Sequence, residues 1–340
     1  MAALLVSGLC PARLQEETVL KPPLFLHTER VNIMHSRKPF ALTFAIFFVA
    51  ALFLGPLCAS AQGPDRDSIH HGNEWIDPDH SEPAGTHYHL FATPSRGVGT
   101  QASCLIYLPP DYEKNANQHF PVLYWLHGGA GSQREGAWMV GRIDAEIRSG
   151  SLPPFVVVLV QGLPDVRYIN SKDGTRPVEN VIIHDLIPHI DSTYRTIATR
   201  QGRAIEGMSM GGFGALRLGF KYPRLFGTVS ALAPSIKPMQ QEPEVVREPF
   251  GNDQAYWDQT GPWSIVRENA AEIRGRTKVR LLVGDQDPLL ANVQDYDALL
   301  TSLGIGHQFA VVGGAHHRYD EIVSRLPGDA LQFWKTAFMP

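Results

Sequence analysis

The sequence has little cysteine and no large excess of charge of either sign. Only three cysteines occur among 340 residues, Cys10, Cys58 and Cys104, and the 30 basic and 34 acidic residues give a net charge of −4. No basic cluster accompanies this balance, so a nucleic-acid partner is not expected. With so few cysteines, stability must come from a buried core, and the chain is long enough to build one main domain with extensions.

The apolar run at residues 40–54 is too short to cross a bilayer. Thr43 is its only polar residue, whereas a membrane-spanning helix needs about 20 apolar residues. A basic segment, residues 34–38, precedes the run, and Ala-Ser-Ala at residues 59–61 has the small–x–small pattern of a cleavage site. Residues 1–61 are therefore predicted to be an export leader, and no stable membrane anchor is expected.

Within the leader, the signal peptide is assigned to residues 34–61. Cleavage near Ala61 would give a secreted or periplasmic protein. Met34 is a candidate for the true start, since residues 1–33 have no role before a signal peptide. Removal of the leader leaves Cys104 as the only cysteine, so no intramolecular disulfide is predicted.

Composition divides the rest of the chain. Residues 62–84 are polar and rich in Gly, Pro and Asp, which is typical of a linker, and residues 85–340 are predicted to form the main domain. Within that domain, residues 236–263 lack periodicity and are predicted to be a loop excursion over the site. The histidines in and beside the linker have no compact ligand spacing, so no metal site is predicted. They are His70, His71, His80, His87 and His89.

Apolar runs and helical patterns alternate through the main domain. Residues 87–93 and 101–108 predict an antiparallel pair of strands around a glycine-containing turn. Continuous apolar runs at residues 121–126 and 155–160 are typical of buried parallel strands. Helical patterns occur at residues 138–149, 264–274, 292–303 and 326–338.

A serine lies between two glycines at residues 207–211, Gly-Met-Ser-Met-Gly. The pattern follows an apolar run and precedes a helix-prone segment, a setting typical of a nucleophile elbow. The sharp turn exposes the hydroxyl, strains the serine backbone and leaves no room for a Cβ atom at Gly207 or Gly211. Ser209 is therefore the predicted nucleophile. The alternative is a glycine-rich turn that contains a serine by chance.

A second glycine cluster, His-Gly-Gly-Ala-Gly at residues 127–131, comes directly after the apolar run at 121–126. Acyl transfer places negative charge on the former carbonyl oxygen, and each fixed N–H donor that stabilises this charge contributes about 3 kcal/mol. A loop in this position supplies one donor in hydrolases with a nucleophile elbow. The predicted donors are the backbone N–H groups of Gly129 and Met210.

The serine also needs a histidine as base and a carboxylate that orients it. Asp285 and Asp287 both follow a strand predicted at residues 279–283, and His316 and His317 both follow the last predicted strand, at residues 307–312. In proteins with this elbow, the acid follows the serine in sequence and the histidine comes last. The residues by themselves leave both choices open.

Three segments together resemble the family of esterases related to esterase D. They are Tyr-Trp-Leu-His-Gly-Gly at residues 124–129, Glu-Gly-Met-Ser-Met-Gly-Gly at residues 206–212, and the late Gly-x-x-Asp that a histidine follows. This family includes feruloyl and acetyl-xylan esterases, enterochelin esterases, S-formylglutathione hydrolases and mycolyltransferases, and the resemblance covers about residues 85–338. It implies the α/β-hydrolase fold, with a mostly parallel central sheet, helices on both faces and antiparallel strands at the N-terminal edge.

The resemblance also implies a Ser-Asp-His triad that contains Ser209. The family's Gly-x-x-Asp spacing selects Asp287 as the acid, and its Gly-x-x-His and His-x-Tyr spacings select His317 as the base. A small residue before the histidine is also common there and favours His316. This chemistry needs no metal ion and no organic cofactor.

Three activities fit these motifs. The first is hydrolysis of carboxylic esters through an acyl-enzyme by an exported esterase, with feruloyl or acetyl esters of carbohydrates, free or polysaccharide-linked, as candidate substrates. The second is acyl transfer on the same fold, and the third is non-catalytic binding by an exported protein. Trp138, Tyr168 and Trp263 are candidates for stacking on a sugar or aromatic acid; packing in the core or in loops is the alternative.

Overall fold

A computed structural model of the protein describes residues 74–328 and 330–338. The strands within these residues are β1 (Thr86–Ala92), β2 (Gln101–Tyr107), β3 (Val122–Leu126), β4 (Val156–Val160), β5 (Arg203–Met208), β6 (Thr228–Leu232), β7 (Lys278–Gly284) and β8 (Gln308–Val312). They form one eight-stranded sheet in the order β1-β2-β4-β3-β5-β6-β7-β8. β2 is antiparallel to β1 and β4, and every other neighbouring pair is parallel. The predicted sheet architecture is confirmed.

Helices connect most of the parallel strands. They are α1 (Ala137–Arg148), α2 (Val178–Asn180), a π-helical turn (Val181–Leu186), α3 (Ile187–Thr193), α4 (Met210–Lys221), α5 (Glu244–Arg247), α6 (Gln254–Thr260), α7 (Pro262–Ile273), α8 (Leu290–Ser302), α9 (Tyr319–Arg325) and α10 (Gln332–Phe338). Short 3₁₀ turns are found at Pro83–Gly85, Pro94–Arg96, Tyr112–Lys114, Gln133–Gly136, Arg200–Gly202, Met239–Gln241 and Glu248–Phe250. The predicted loop excursion at 236–263 therefore contains several short helical segments.

The central strands are buried on both faces of the sheet. Every residue of β3, β4 and β6 is buried. Because successive side chains of a strand point to opposite faces, Tyr124 packs in the same cluster as Phe213 of α4, while Trp125 packs in the same cluster as Met139 of α1. Helices therefore cover both faces, as predicted.

The strand register gathers the loops of interest at one edge of the sheet. Leu126, the last residue of β3, pairs with Gly207 near the end of β5. Gly284, the last residue of β7, pairs with Val312, the last residue of β8. Parallel strands end at the same edge, so the loops that follow β3, β5, β7 and β8 leave the sheet together.

The predicted closing helix at residues 326–338 is wrong in its first half. α9 ends at Arg325 and α10 begins only at Gln332. Pro327 and Gly328 lie between them, and both residues disfavour a helix interior, the first because it lacks an N–H group and the second because of its backbone entropy. The apolar pattern therefore identifies only the second half of that segment as helix.

Residues near the start of the described chain pack on the sheet, although their composition resembles that of a linker. Trp75 and Asp77 are buried. The N–H of Ser103 in β2 donates to the Trp75 carbonyl, and the N–H of Asp77 donates to Ser103 Oγ, each at 2.9 Å. The predicted leader, residues 1–61, lies outside the described residues. Among residues 74–328 and 330–338, no helix is both long and apolar enough to cross a membrane.

Two histidines face each other between the edge strand and a helix. The Nε2 atoms of His89 in β1 and His189 in α3 are 2.7 Å apart, and both rings are partly buried. One nitrogen donates and the other accepts, so the contact requires at least one neutral ring. Burial lowers the pKa of both imidazoles below the usual 6.5, and the charge of His189 further lowers the pKa of His89.

The free energy of unfolding is expected to decrease as the pH falls below this usual value. In that range the unfolded chain binds more protons at these two histidines than the folded protein does, which favours unfolding. In the His189→Gln variant the part of this penalty that comes from burial of His189, and from its charge beside His89, is absent. The melting temperature of the wild type minus that of His189→Gln should therefore be smaller at about pH 5.5 than at about pH 7.5. His119→Gln, at an exposed site, is the control. A difference that does not change with pH would contradict the interpretation.

Candidate active site

Ser209 occupies a strained turn between β5 and α4. Its backbone has φ 57° and ψ −115°, a region that non-glycine residues rarely adopt. Backbone hydrogen bonds hold this conformation: the Ser209 N–H donates to the Leu232 carbonyl at 2.9 Å, and the Ser209 carbonyl accepts from the N–H groups of Phe213 and Ser235 at 3.0 Å. The structure thus has the predicted strand, turn and helix around this serine.

The two glycines that flank Ser209 allow close backbone approach. A Cβ atom at Gly211 would overlap the carbonyl oxygen of Leu126 at the end of β3, and a Cβ atom at Gly207 would overlap the backbone of Gly211. Both obstacles are backbone atoms, which cannot move aside as a flexible side chain does. The spacing of the glycines therefore follows from how tightly α4 begins against β3 and β5.

The glycine-rich loop after β3 is held by hydrogen bonds at several points. His127 is fully buried, and its Nε2 accepts from the Gly162 N–H at 3.0 Å. The hydroxyl of Tyr168 donates to the His127 carbonyl at 2.9 Å, and the Gly128 N–H donates to Glu135 Oε2 at 2.8 Å. The side chain of His127 thus acts as an internal support of the loop.

The two predicted oxyanion donors belong to the segments that follow β3 and β5. Gly129 lines the same cavity as Ser209. Met210 is the first residue of α4, where N–H groups have no partner within the helix and the helix dipole is positive. The end of β3 and the end of β5 bring these two segments together.

Asp287 and His317 are in direct contact. Nδ1 of His317 donates to Asp287 Oδ2 at 2.8 Å, and the Asp287 side chain is 0% exposed. The other oxygen of this carboxylate accepts from the Leu289 N–H at 2.8 Å, which fixes its orientation. His317 lines the cavity together with Ser209. Donation from Nδ1 leaves Nε2 as the nitrogen that can accept a proton.

The two competing residues make other contacts. Oδ1 of Asp285 accepts from the Gly314 N–H at 2.7 Å in an exposed turn. The His316 side chain is 63% exposed, and its Nδ1 lies 3.0 Å from Glu321 Oε2. Of the four candidates, Asp287 and His317 are the pair that the structure brings together.

The cavity that contains Ser209 and His317 has a volume of about 900 Å³. Its lining includes Gly129, Glu135, Trp138, Ser209, His317 and Tyr319. The Trp138 side chain is 40% exposed and meets the Tyr319 ring edge-on, with 5.1 Å between ring centroids. A separate cleft of about 410 Å³, lined in part by Pro121 and Gly227, lies where strands begin and contains none of the predicted site residues.

Of the three aromatic side chains proposed to stack on substrate, Trp138 alone lines this cavity. Tyr168 is buried against the glycine-rich loop, and the Trp263 indole N–H donates to the Ile236 carbonyl at 3.1 Å. Sequence reasoning missed Glu135 and Tyr319. Glu135 belongs to no recognisable motif, and Tyr319 enters the sequence analysis only as the tyrosine of the His-x-Tyr spacing that selects His317. Their contacts across the fold place both residues at the site.

Charged side chains at the rim are paired with one another. Arg134 Nε lies 3.2 Å from Asp77 Oδ2, and Arg134 also pairs with Asp79. Arg318 Nη2 lies 3.0 Å from Asp320 Oδ2. Within the part of the chain that the structure describes, no group of three or more His, Cys, Asp or Glu side chains could hold a metal ion.

Comparison with known sequences finds relatives among esterases. Residues 95–339 match the family model described as "Putative esterase". The chain is 34% identical over 143 residues to an endo-1,4-beta-xylanase/feruloyl esterase of Xylanibacter ruminicola, which is 39% of this chain and 19% of that protein. It is also 34% identical over 148 residues to Esterase Rv1288 of Mycobacterium tuberculosis, 42% of this chain and 31% of that protein. The chain therefore spans less than a third of either relative.

Solved structures share the fold. A ferulic acid esterase superposes with a TM-score of 0.62 at 23% identity, over 75% of this chain and 99% of that one. A ferulic acid esterase from Anaeromyces mucronatus has a TM-score of 0.56 at 19% identity, over 78% of this chain and 94% of that one. The fold is the α/β-hydrolase fold, as the motifs implied. With its family match over residues 95–339, this chain belongs to the "Putative esterase" family.

Proposed function

We propose that this protein is an exported serine esterase that hydrolyses carboxylic esters through an acyl-enzyme. The observation that carries the proposal is the hydrogen bond from His317 to the buried carboxylate of Asp287 at 2.8 Å, on a cavity that Ser209 also lines. In this arrangement the carboxylate orients the imidazole and stabilises its charged form. Family membership supports ester hydrolysis, and the predicted signal peptide supports export.

The reaction has two halves. His317 Nε2 takes the proton of the Ser209 hydroxyl as Oγ attacks the ester carbonyl carbon, and the N–H groups of Gly129 and Met210 stabilise the oxyanion. The alcohol leaves with the proton from His317, which gives an acyl-Ser209. Water then attacks that ester, again with His317 as base, and releases the acid and the free serine. The scheme uses no metal ion and no cofactor.

Esters of carbohydrates with feruloyl or acetyl groups are the proposed substrates, either small or polysaccharide-linked. A cavity of about 900 Å³ has room for an aromatic acid and part of a sugar. Trp138, which is 40% exposed at the cavity wall, offers an aromatic ring for stacking. Three of the four similar proteins described above carry feruloyl or ferulic acid esterase in their names, which supports the same class.

A fluorophosphonate probe tests the nucleophile. The probe should phosphonylate Ser209 Oγ with loss of fluoride, and trypsin should then release one modified peptide, residues 204–217. Ser209 is the only hydroxyl-bearing residue in that peptide, so mass spectrometry assigns the adduct without ambiguity. Heat-denatured protein is the control and should remain unlabelled. A native protein that is not labelled, or is labelled elsewhere, would contradict the proposal and favour a non-catalytic binding protein.

Product analysis separates hydrolysis from acyl transfer. The panel comprises feruloyl-arabinose, acetylated xylo-oligosaccharides and short-chain aryl esters, each incubated with and without an added alcohol. Free acid as the main product in both conditions supports an esterase, and the preferred ester identifies its class. A new ester of the added alcohol as the main product would instead indicate an acyltransferase.

A further inference from the structure

A buried carboxylate lies beneath the candidate site and takes part in none of the proposed reaction steps. Glu206, in β5, is 0% exposed. A buried charge is costly unless an opposite charge and hydrogen bonds compensate for the lost water. Glu206 receives both, from three other segments of the chain.

Three donors converge on this carboxylate. Arg280 Nη2 in β7 donates to Glu206 Oε2 at 2.8 Å, and Ser230 Oγ in β6 donates to the same oxygen at 2.6 Å. The hydroxyl of Tyr319, at the start of α9, donates to Oε1 at 2.9 Å. Arg280 is fixed in turn by the Ser230 hydroxyl, 3.0 Å from its Nε, and by the Phe333 ring, whose centroid is 4.2 Å from the guanidinium carbon.

The Tyr319 hydroxyl has a second neighbour, Met139 Sδ, also within hydrogen-bonding distance at 2.8 Å. A hydroxyl has one proton to donate, and a carboxylate is a much stronger acceptor than a thioether sulfur. The bond of Tyr319 to Glu206 is therefore the one that restrains the tyrosine.

Three members of this network, Glu206, Arg280 and Tyr319, are each close in sequence to a different candidate catalytic residue. The carboxylate is three residues before Ser209. Arg280 lies in β7, and Asp287 is in the turn that follows this strand. Tyr319 is two residues after His317. The network thus connects the segments of all three residues from below the cavity.

We propose that the contact between Glu206 and Tyr319 is a positioning pair that holds His317 in place relative to Ser209. The inference rests on the proposed function of those two residues. The Tyr319 ring also meets Trp125 edge-on, with 6.0 Å between centroids, so it is held at both its hydroxyl and its edge. A displacement of about 1 Å in a reacting group can cost up to 100-fold in rate, and the pair prevents such movement of the base.

Tyr319→Phe tests the pair, because it removes the hydroxyl and retains the ring. The expected result is a fall in kcat of about 10-fold, with KM changed less than about two-fold, because a displaced base slows chemistry without weakening ester binding. The matched control is Tyr296→Phe in α8. The Tyr296 hydroxyl is buried and donates to the Pro262 carbonyl at 3.1 Å, outside the cavity lining. This control should keep the wild-type kcat and KM.

A double-mutant cycle distinguishes positioning from a general structural role. If Tyr319 acts through His317, its removal should have little further effect on the fluorophosphonate labelling rate once Asp287→Asn has already disturbed the imidazole. Equal fold-losses in both backgrounds, or a kcat of Tyr319→Phe equal to that of wild type, would overturn the inference.

Glu206→Gln provides a second variant if Tyr319→Phe does not fold, with the same split between kcat and KM expected. Failure of the proposed function is recognised separately, because fluorophosphonate would then not label the wild type. That result would overturn both the proposed function and the positioning pair.

Discussion

Replacement of Ser209 by alanine is expected to lower the kcat for ester hydrolysis by about 10⁵- to 10⁶-fold. The variant lacks the oxygen that forms the acyl-enzyme, and His317 has no proton to remove. Folding should be preserved, because the bonds of Ser209 to Leu232, Phe213 and Ser235 all involve its backbone atoms. Alanine also meets the same strain as serine at the observed φ of 57°. The measurements are kcat and KM for p-nitrophenyl acetate, with the melting temperature as a check on folding.

The control for this variant is Ser302→Ala. Ser302 is exposed at the end of α8, where its hydroxyl donates to the Leu299 carbonyl, and its removal should leave turnover unchanged. Ser209→Ala should also lose all fluorophosphonate labelling of the peptide at residues 204–217. Turnover within 10-fold of wild type in a folded Ser209→Ala protein would show that another group performs the reaction.

The parts of the site that sequence predicts well are those fixed by local backbone constraints. Gly207 and Gly211 flank Ser209 because the carbonyl of Leu126 and the start of α4 leave no space for side chains there. Such constraints leave a recognisable pattern in a few consecutive residues. Alternating apolar and helical segments are sufficient to predict a parallel sheet. The structure adds that β3 and β5 are neighbours, which places the two glycine-rich segments side by side.

The choice between adjacent residues could not be made in the same way. His316 and His317 are neighbours with nearly the same local context, and their surroundings differ only through contacts across the fold. His316 turns outward to Glu321, whereas His317 turns inward to the buried Asp287. Family spacing gave conflicting indications for these two residues, and the side-chain contacts separate them.

Long-range polar contacts left even less trace in the sequence. The partners of Glu206 are 24, 74 and 113 residues away along the chain, at Ser230, Arg280 and Tyr319. Nothing in the residues around position 206 specifies such partners, and the sequence analysis includes the glutamate only as part of the elbow motif. Tyr168 has the packing role that the sequence analysis considers beside stacking, and the contact that fixes it is also distant, because its bond to the His127 carbonyl crosses 41 residues.

Replacement of Asp287 by asparagine is expected to lower kcat by about 10⁴-fold at neutral pH. Asparagine can keep its carbonyl oxygen on the Leu289 N–H, which leaves its NH₂ group facing Nδ1 of His317. Two donors cannot share a hydrogen bond, so the imidazole should take the tautomer in which Nδ1 accepts and Nε2 carries the proton. In that tautomer Nε2 cannot accept the Ser209 proton. KM should change little, since Asp287 is buried and does not line the cavity.

Asp285→Asn is the matched control, because the two aspartates differ by only two positions and lie in the same turn. Its carboxylate accepts from the Gly314 N–H in an exposed position, and asparagine retains an acceptor there, so kcat should remain within about three-fold of wild type. His316→Ala and His317→Ala should repeat the contrast at the base, with a large loss of kcat only for His317→Ala.

A large loss of kcat for Asp285→Asn together with near-normal turnover of Asp287→Asn would assign the acid to Asp285. The contact between His317 and Asp287 would then be structural, and the base would have to be sought at His316, whose partner Glu321 could be tested in the same assay.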